Sequence, residues 1–388
     1  MIRSASRLAA MAVVLLSVAL CGCVTLSREP FTAAQQAVAS PAGFSHIRYT
    51  PDDPTLPDML GRRLEPDAGG VVNVLAISGG GANGAFGAGL LYGWSRAGGR
   101  PQFQLVTGVS AGALAAPFAF LGSGWNEQLR QTYFGARVHH LLQSKGLLSL
   151  FTPGLYRKAP LDDLVRAYVT DDLIRAVAAE HAKGRRLLVA TTNLDTGQLI
   201  VWDMGAIAAH RGPQARALFA QVLIASATAP GVFAPTMIKV QSDGRQFSEM
   251  HVDGETDSAF FAIPETLFLG ARPVGPQYRS RLFILVNGRL DSQFAVTPRA
   301  TVPILRRTID ATTKASIRSA MISTLEFCQR HDCDLSVASI PSTQTDDPLD
   351  FTDAHVQSLF SAGLAAGENG QAWKVAAPAL SSSSRPGP

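Results

Sequence analysis

The stretch Leu105-Val-Thr-Gly-Val-Ser110-Ala-Gly-Ala-Leu114 decides the fold of this chain. An apolar run stops at one serine and continues as small apolar residues, so that the serine lies inside the pattern Gly108-x-Ser110-x-Gly112. A strand that turns sharply into a helix needs residues without bulk at the bend, and the bend exposes the serine oxygen. We therefore interpret Ser110 as a candidate nucleophile. The alternative is a small-residue site for helix packing, and the context of the stretch has to decide between them.

The composition is that of a globular protein with a sizeable core. The chain has 388 residues, of which 46% are hydrophobic and 16% are charged. The formal net charge of +4 is small, and Arg3 and Arg7 contribute part of it. No basic stripe interleaved with aromatic residues is present, so the charge pattern argues against a nucleic-acid partner.

The N-terminus has the features of an export signal. A basic start is followed by an almost wholly apolar run over residues 8–20, which ends in Leu20-Cys-Gly-Cys23. This run is shorter than the ~20 residues that a membrane-spanning helix needs, and no later stretch is long and apolar enough, so we expect no transmembrane helix.

The sequence Leu20-Cys-Gly-Cys23 resembles the cleavage box of bacterial lipoproteins. This resemblance implies that residues 1–22 are a signal peptide and that Cys23 carries the lipid anchor. Cleavage without lipidation is the alternative. Val24 after the cysteine, where Asp would act as a retention signal, favours an exported protein anchored in the outer membrane of the bacterial envelope.

The chain then divides into three regions. Residues 23–70 carry several prolines and little hydrophobic periodicity, which is typical of a tether or of a segment that follows the protein surface. A folded domain is predicted over residues 71–375, beginning with a continuous apolar run that is typical of a strand buried on both faces. Residues 376–388 are low-complexity sequence, which predicts a disordered tail.

Apolar runs and helical spacing alternate along the predicted domain, which favours an α/β fold. Asp243-Gly244 lies between two of the predicted strands and predicts a hairpin turn. Strands are predicted at residues 71–77, 104–109, 186–193, 198–204, 236–241, 246–252, 282–287 and 335–340. Helices are predicted at residues 85–96, 111–121, 125–134, 161–182, 214–227, 302–328 and 353–373.

A glycine-rich loop, Gly79-Gly-Gly-Ala-Asn-Gly84, follows the first predicted strand. Its glycines also fit a dinucleotide-binding fingerprint, but that fingerprint requires an acidic residue about 20 positions further on. No Asp or Glu occurs between Asp67 and Glu127, so we predict no nucleotide cofactor. An anion cradle at a helix N-terminus fits better, because a nearby carboxylate would weaken the stabilisation of an oxyanion. A loop that serves only tight packing is the alternative.

Acyl transfer also needs a base, and Asp253 is the candidate among the acidic residues. It follows the second strand of the predicted hairpin and precedes Gly254, and the proline-flanked segment 229–235 comes shortly before that hairpin. The alternative is an ordinary Asp-Gly turn after a strand.

Two cysteines remain if the N-terminal pair belongs to the export signal. Cys328 and Cys333 are close enough in sequence to close a short loop as a disulfide in an oxidising compartment. A metal site that also uses His331 is the alternative, but it lacks a fourth ligand, so we expect no metal.

Together these blocks resemble the patatin-like phospholipases over roughly residues 70–375. The resemblance rests on the order of the glycine loop, the Gly108-Val-Ser110-Ala-Gly112 elbow and Asp253-Gly254, and it is supported by the segment 225–233. It implies a three-layer α/β sandwich with a mostly parallel central sheet flanked by helices. The chain departs from the family at Asn83, where Arg or Lys is frequent, and at Glu255, where Gly or Ala is usual.

The resemblance also implies a chemistry that needs no histidine and no cofactor. Ser110 would be the nucleophile and Asp253 the general base of a dyad, and the N–H groups of Gly80, Gly81 and Ala82 would form the oxyanion hole. The function implied is a serine acyl hydrolase of the phospholipase A type, which acts through an acyl-enzyme on esters of the membrane lipids that surround its anchor.

Two alternatives remain open at this point. The chain order Ser110, Asp253, His355 also fits the triad of an α/β-hydrolase esterase, although a surface histidine is the simpler interpretation of His355. A non-catalytic envelope lipoprotein that binds lipid is the other alternative, and the intact dyad residues argue against it.

Overall fold

The computed structural model describes residues 28–61, 64–134, 138–146, 152–262, 279–331 and 333–375. The predicted signal peptide, Cys23 and the tail over residues 376–388 lie outside the described residues. The described residues divide into two compact units, one of residues 28–42 with 239–248 and one that comprises the described residues within 43–238 and 249–375. The second unit holds Ser110, Asp253 and the glycine loop.

Ten strands of the described chain belong to one sheet. They are β1 (Arg48–Tyr49), β2 (Val71–Ile77), β3 (Leu105–Gly108), β4 (Arg186–Asn193), β5 (Gln198–Asp203), β6 (Thr236–Ser242), β7 (Arg245–Asp253), β8 (Arg279–Val286), β9 (Cys333–Ser339) and β10 (Lys374–Val375). The main path runs β1-β5-β4-β3-β2-β8-β9-β10, and β7 pairs with β4 and with β6.

The centre of the sheet is parallel and its edges are antiparallel. The five neighbours β4, β3, β2, β8 and β9 pair in parallel, whereas β1, β5 and β10 join their partners antiparallel. The predicted hairpin is present, with Asp243 (φ 51°) and Gly244 (φ 74°) in the left-handed conformation that a tight hairpin turn requires. The predicted α/β class with a mostly parallel sheet is therefore confirmed.

The described residues form eleven α-helices. They are α1 (Ala33–Ala37), α2 (Leu56–Gly61), α3 (Gly84–Arg96), α4 (Ala111–Leu121), α5 (Asn126–Phe134), α6 (Ala159–Tyr168), α7 (Asp171–Ala182), α8 (Met204–Ala209), α9 (Gly212–Ser226), α10 (Thr301–Arg330) and α11 (Asp353–Glu368). Residues 161–182, predicted as one helix, form two, because Thr170 caps a new N-terminus by accepting a hydrogen bond from the Leu173 N–H at 3.2 Å.

The side chains of β8 show that helices cover both faces of the sheet. Leu282 and Ile284 belong to one core cluster with Ile317 of α10, whereas the ring of Phe283 lies 5.1 Å from the ring of Trp94 in α3. Because successive residues of a strand point to opposite faces, α10 and α3 lie on opposite sides of the sheet. This arrangement gives the three layers that were expected.

Part of the predicted tether packs in the core of the second unit. Ile47 and Leu56 are almost fully buried, and Tyr49 and Leu60 are at most 9% exposed. Arg48–Tyr49 pairs with β5, and Leu56 and Leu60 share a core cluster with residues of β3, β4 and β5. The compact unit therefore begins before residue 71, because apolar side chains spaced among the prolines supply it with an edge strand and a helix.

In the first unit, residues 28–42 and 239–248 pack together. The ring of Phe31 stacks on that of Phe247 with a centroid distance of 4.3 Å. A capping box begins α1, since the Thr32 side chain accepts from the Gln35 N–H while the Gln35 side chain accepts from the Thr32 N–H.

Two further features bear on the sequence predictions. Cys328 at the end of α10 and Cys333 at the start of β9 are joined in a disulfide, with their Cα atoms 4.6 Å apart. No helix of the described residues combines the length and the apolar character that are required to cross a membrane.

Candidate active site

Ser110 lies at a strained bend between β3 and α4. The strand ends at Gly108 and the helix begins at Ala111, and Ser110 between them has φ 55° and ψ −125°. A positive φ is costly for a residue with a side chain and persists only where the surroundings fix it. The bend therefore has the geometry that the sequence pattern predicts for a nucleophile elbow.

The two glycines of the elbow occupy positions that have no room for a Cβ atom. A Cβ on Gly108 would lie 2.6 Å from the Gly112 carbonyl oxygen and 2.8 Å from the Ala116 Cβ. A Cβ on Gly112 would lie 2.5 Å from the Ser78 carbonyl oxygen. Both glycines are needed because the strand, the helix and the glycine loop approach one another closely there.

Ser226 supports the bend and was missed by sequence reasoning. The Ser110 N–H donates a hydrogen bond to Ser226 Oγ at 3.1 Å, and the Ser226 hydroxyl donates to the Ala190 carbonyl oxygen at 2.7 Å. Ser226 ends α9 and is completely buried. A polar residue directly after the apolar run over residues 222–225 is the signal that could have identified it.

Asp253 is held at the end of β7 by contacts with a neighbouring strand and loop. It pairs with Thr191 of β4, its N–H donates to the Thr228 carbonyl oxygen at 2.9 Å, and its carbonyl oxygen accepts from Thr192 Oγ1 at 3.0 Å. Its Oδ1 accepts a hydrogen bond from the Glu255 N–H at 2.9 Å. The residue is only 3% exposed, so its carboxyl group lies in the interior.

Burial raises the pKa of Asp253 to about 7, and hydrogen bonds from the Ser110 side chain and the Glu255 N–H oppose this rise. Ser110 and Asp253 therefore share one buried site, although they lie 143 positions apart in the sequence. A carboxyl group with a pKa near neutrality is a far stronger base than an exposed aspartate.

The glycine loop follows β2 and faces the elbow. Gly80 has φ 139° and Gly81 has φ 55°, and a Cβ on Gly80 would lie 2.8 Å from the Asn287 Cβ. Asn287 holds the start of the loop, since its N–H donates to Ser78 Oγ and its side-chain amide to the Ser78 carbonyl oxygen, both at 2.9 Å. Neither the Gly80 nor the Gly81 N–H donates to another residue within the described ranges, so both can bind an anion.

The predicted oxyanion role of Ala82 disagrees with its contacts. The Ala82 N–H donates a hydrogen bond to the Pro348 carbonyl oxygen at 2.9 Å, because the segment over residues 341–352 packs against the glycine loop. This donor is therefore already used, which leaves Gly80 and Gly81 as the donors of the predicted set.

Glu255 contributes a second carboxyl group next to Ser110 and the glycine loop. It lies in a 3-10 turn directly after Asp253, and a Cβ built on Gly79 would overlap Glu255 Oε2 while lying 2.8 Å from the Ser110 Cβ. Burial and the charge of Asp253 raise the pKa of Glu255 to about 8. The site thus brings together the Ser110 side chain, the buried carboxyl group of Asp253, the half-buried Glu255 and a loop of peptide N–H groups.

Two buried histidines have polar partners of their own. His355 is buried rather than on the surface, and its Nε2 lies 3.1 Å from Asn83 Oδ1. It contacts the glycine loop, and no contact with Asp253 supports the alternative triad within the described chain. His251 is fully buried, with Nδ1 3.0 Å from Thr191 Oγ1 and Nε2 3.2 Å from Glu249 Oε2.

The chain is similar to a protein family and to several solved structures. A family model described as patatin-like phospholipase matches residues 75–268. Among solved structures, the chain is similar to VipD from Legionella pneumophila, with 13% identity and a TM-score of 0.39, over 77% of this chain and 67% of VipD. It is also similar to the type III effector protein ExoU, with 12% identity and a TM-score of 0.31, over 77% of this chain and 52% of ExoU. No curated protein matches its sequence.

Proposed function

Because the chain belongs to the patatin-like phospholipase family, we propose that it hydrolyses carboxylic esters of membrane lipids, with Ser110 as nucleophile and Asp253 as general base. The observation that carries this proposal is the interaction of the interior Asp253 carboxyl group with the side chain of Ser110 at the strained elbow. Fold resemblance alone would not identify a reaction, whereas this arrangement of base and hydroxyl supports one.

The first half of the reaction forms an acyl-enzyme. Asp253 accepts the hydroxyl proton as Ser110 Oγ attacks the ester carbonyl carbon. The carbonyl oxygen becomes an oxyanion, which the N–H groups of Gly80 and Gly81 stabilise. When the tetrahedral intermediate collapses, the bond to the alcohol oxygen breaks and the leaving alcohol takes the proton from Asp253.

The second half releases the fatty acid. Asp253 accepts a proton from water as the water oxygen attacks the acyl carbon, and the proton returns to Ser110 Oγ when the acyl–serine bond breaks. The raised pKa of Asp253 supports this double role, because a base with a pKa of about 7 accepts and returns a proton at neutral pH with little driving force in either direction.

An active-site serine probe tests the proposal. A fluorophosphonate should label the wild-type chain and leave Ser110→Ala unlabelled, and Asp253→Asn should lose at least ~10²-fold in ester hydrolysis while remaining folded. His355→Ala should retain its serine labelling wherever it folds, whereas the alternative triad requires labelling to be lost. A folded wild-type chain that the probe does not label would instead favour a non-catalytic lipid-binding lipoprotein.

We also propose that Cys23 carries a lipid anchor and that the protein is exported to the outer membrane, where membrane lipids are its substrates. The apolar run over residues 8–20 and the Leu20-Cys-Gly-Cys23 box support this. Incorporation of labelled fatty acid into the wild-type chain in bacteria, and its loss in Cys23→Ala, would test it. Fractionation of the two envelope membranes would test the location.

A further inference from the structure

Glu255 lies where the family usually has a residue without a charged side chain, and its carboxyl group points into the site. The 3-10 turn Gly254–Thr256 follows Asp253 directly and turns Glu255 towards the glycine loop. A Cβ built on Gly79 would lie 2.7 Å from Glu255 Cδ and 2.8 Å from the Ser110 Cβ. The Glu255 carboxyl group and the Ser110 side chain therefore both border Gly79, at the entrance to the loop that is proposed to bind the oxyanion.

The charged groups around Glu255 are few. Strand β7 contributes Asp253, the elbow contributes the side chain of Ser110, and the glycine loop contributes the peptide groups at Gly79. Among the described residues, Asp253 is the charged group whose field raises the pKa of Glu255, in the same direction as burial. Two neighbouring carboxyl groups in a poorly solvated site do not both ionise readily, so their titrations are linked.

The reaction needs the two carboxyl groups in different protonation states. Asp253 has to be ionised to accept the Ser110 proton, whereas an ionised Glu255 would place a second negative charge beside the developing oxyanion. In a site that excludes water, such a charge strongly opposes the transition state. A protonated Glu255 adds no charge and presents an O–H donor at the same place.

We propose that Glu255 is a second acid of the active site, and that the active enzyme holds a single proton on the pair, with Glu255 protonated and Asp253 ionised. This inference rests on the proposed function of Ser110 and Asp253. In the first step the Ser110 proton passes to Asp253 and Glu255 keeps its own proton, so that the oxyanion is the only new charge. The arrangement resembles in principle other enzymes in which a carboxylic acid stays neutral to stabilise an anion.

The test compares the pH dependence of kcat/KM for wild type and Glu255→Gln with a soluble short-chain nitrophenyl ester, from about pH 5 to about pH 10. The wild type should show a bell-shaped profile with its acidic limb set by ionisation of Asp253 and its alkaline limb by ionisation of Glu255. Glu255→Gln, which is neutral at every pH, should lose the alkaline limb and keep the acidic limb that ionisation of Asp253 sets. Glu65→Gln, at an exposed position, is the matched control and should leave both limbs unchanged.

A second measurement does not depend on catalysis. A carboxyl group whose pKa is raised by folding lowers stability as pH rises from its unfolded value of about 4 towards its folded value. The urea midpoint should therefore fall less between about pH 5 and about pH 9 in Glu255→Gln than in wild type. The same denaturation curves show whether the variant folds.

The outcomes separate this inference from the proposed function. An alkaline limb that persists unchanged in a folded, active Glu255→Gln overturns the inference and leaves the dyad intact. A Ser110→Ala variant that hydrolyses the ester as fast as the wild type overturns the proposed function. It overturns the catalytic role of Glu255 as well. Loss of the alkaline limb in Glu255→Gln, with Ser110 still required, supports both.

Discussion

The Asn83 side-chain amide donates a hydrogen bond to Asp346 Oδ1 at 2.6 Å and links the glycine loop to the segment over residues 341–352. The same carboxyl group accepts from the Arg289 N–H at 3.1 Å, and Lys314 Nζ lies 3.6 Å from it. On its other side, Asn83 Oδ1 faces His355 Nε2. Asn83 thus uses both ends of its amide, and the position that often holds a cation in the family here ties three segments together.

The first prediction concerns this link. Asn83→Ala removes a hydrogen-bond partner from the side chains of Asp346 and His355. The loss of a partner by a buried polar group lowers the free energy of unfolding by about 1–3 kcal/mol. We expect the free energy of unfolding to fall by about 2–4 kcal/mol, measured by urea denaturation at neutral pH.

The control for this prediction is another asparagine. Asn369 lies exposed at the end of α11, and Asn369→Ala should change stability by less than about 0.5 kcal/mol. Equal effects of the two substitutions would show that the link to Asp346 contributes nothing to stability.

The second prediction is that Asp253 lowers the stability of the folded protein. Because burial raises its pKa to about 7, the folded state binds its proton more tightly than the unfolded state. Stability therefore decreases as pH rises from the unfolded pKa of about 4 to the folded pKa of about 7. Asp253→Asn should be more stable than wild type above neutrality, by on the order of 2–4 kcal/mol, and similar to it near pH 4.

Urea denaturation at about pH 4 and about pH 8 measures this difference. Asp163→Asn, at an exposed helix position, serves as the control and should show no such dependence. If Asp253→Asn were less stable than wild type at the higher pH, the buried carboxyl would have to be stabilised by partners that outweigh its desolvation. An increase in stability with a loss of activity is the expected signature of a site residue.

Local signals in the sequence account for much of the fold. The continuous apolar run gives β2 with its predicted bounds, Val71–Ile77, and the apolar run over residues 186–193 gives β4 as predicted. The hairpin turn at Asp243-Gly244 was predicted as well, because both residues tolerate the positive φ that a tight hairpin turn needs. These elements were predictable since their causes lie within a few neighbouring residues.

Tertiary contacts explain what the sequence did not reveal. His355 was expected on the surface, but α11 packs against α3 and turns this side chain towards Asn83. Glu255 was visible as a departure from the family motif, yet its approach to Gly79 depends on a turn whose direction no periodicity encodes. The hydrogen bond that occupies the Ala82 N–H likewise comes from Pro348, more than 260 residues away in the chain.

The third prediction tests the crossing of α3 and α11. A Cβ on Gly363 would overlap the Phe86 carbonyl oxygen and lie 2.8 Å from the Leu90 nitrogen. Since backbone atoms cannot move aside as a flexible side chain can, Gly363→Ala forces the helices apart. Overpacking of this kind costs about 1–3 kcal/mol and exceeds the gain in helix propensity.

Urea denaturation of Gly363→Ala and of Gly124→Ala gives the comparison. A Cβ on Gly124 would meet no atom within 4 Å, so that variant should stay within about 0.5 kcal/mol of wild type. A Gly363→Ala variant as stable as wild type would mean that the two helices do not approach as closely as described.

The fourth prediction concerns the disulfide between Cys328 and Cys333. It closes a short loop between the end of α10 and the start of β9, and the entropy removed from the unfolded chain by so short a loop is worth roughly 2 kcal/mol. Replacement of both cysteines by Ala should lower the free energy of unfolding by about this amount. The loss should be confined to stability, because both cysteines lie at the opposite end of the parallel strands from Asn287, which contacts the glycine loop.

Dithiothreitol and a chelator distinguish the disulfide from the metal site that the sequence left as an alternative. The reductant should lower the urea midpoint of the wild type to that of the Cys328→Ala/Cys333→Ala variant and leave the variant unchanged. Destabilisation of the wild type by EDTA, without an effect of the reductant, would instead indicate a metal ion held by the thiolates with His331. The disulfide predicts that EDTA has no effect, since its two sulfur atoms are bonded to each other and cannot act as thiolate ligands.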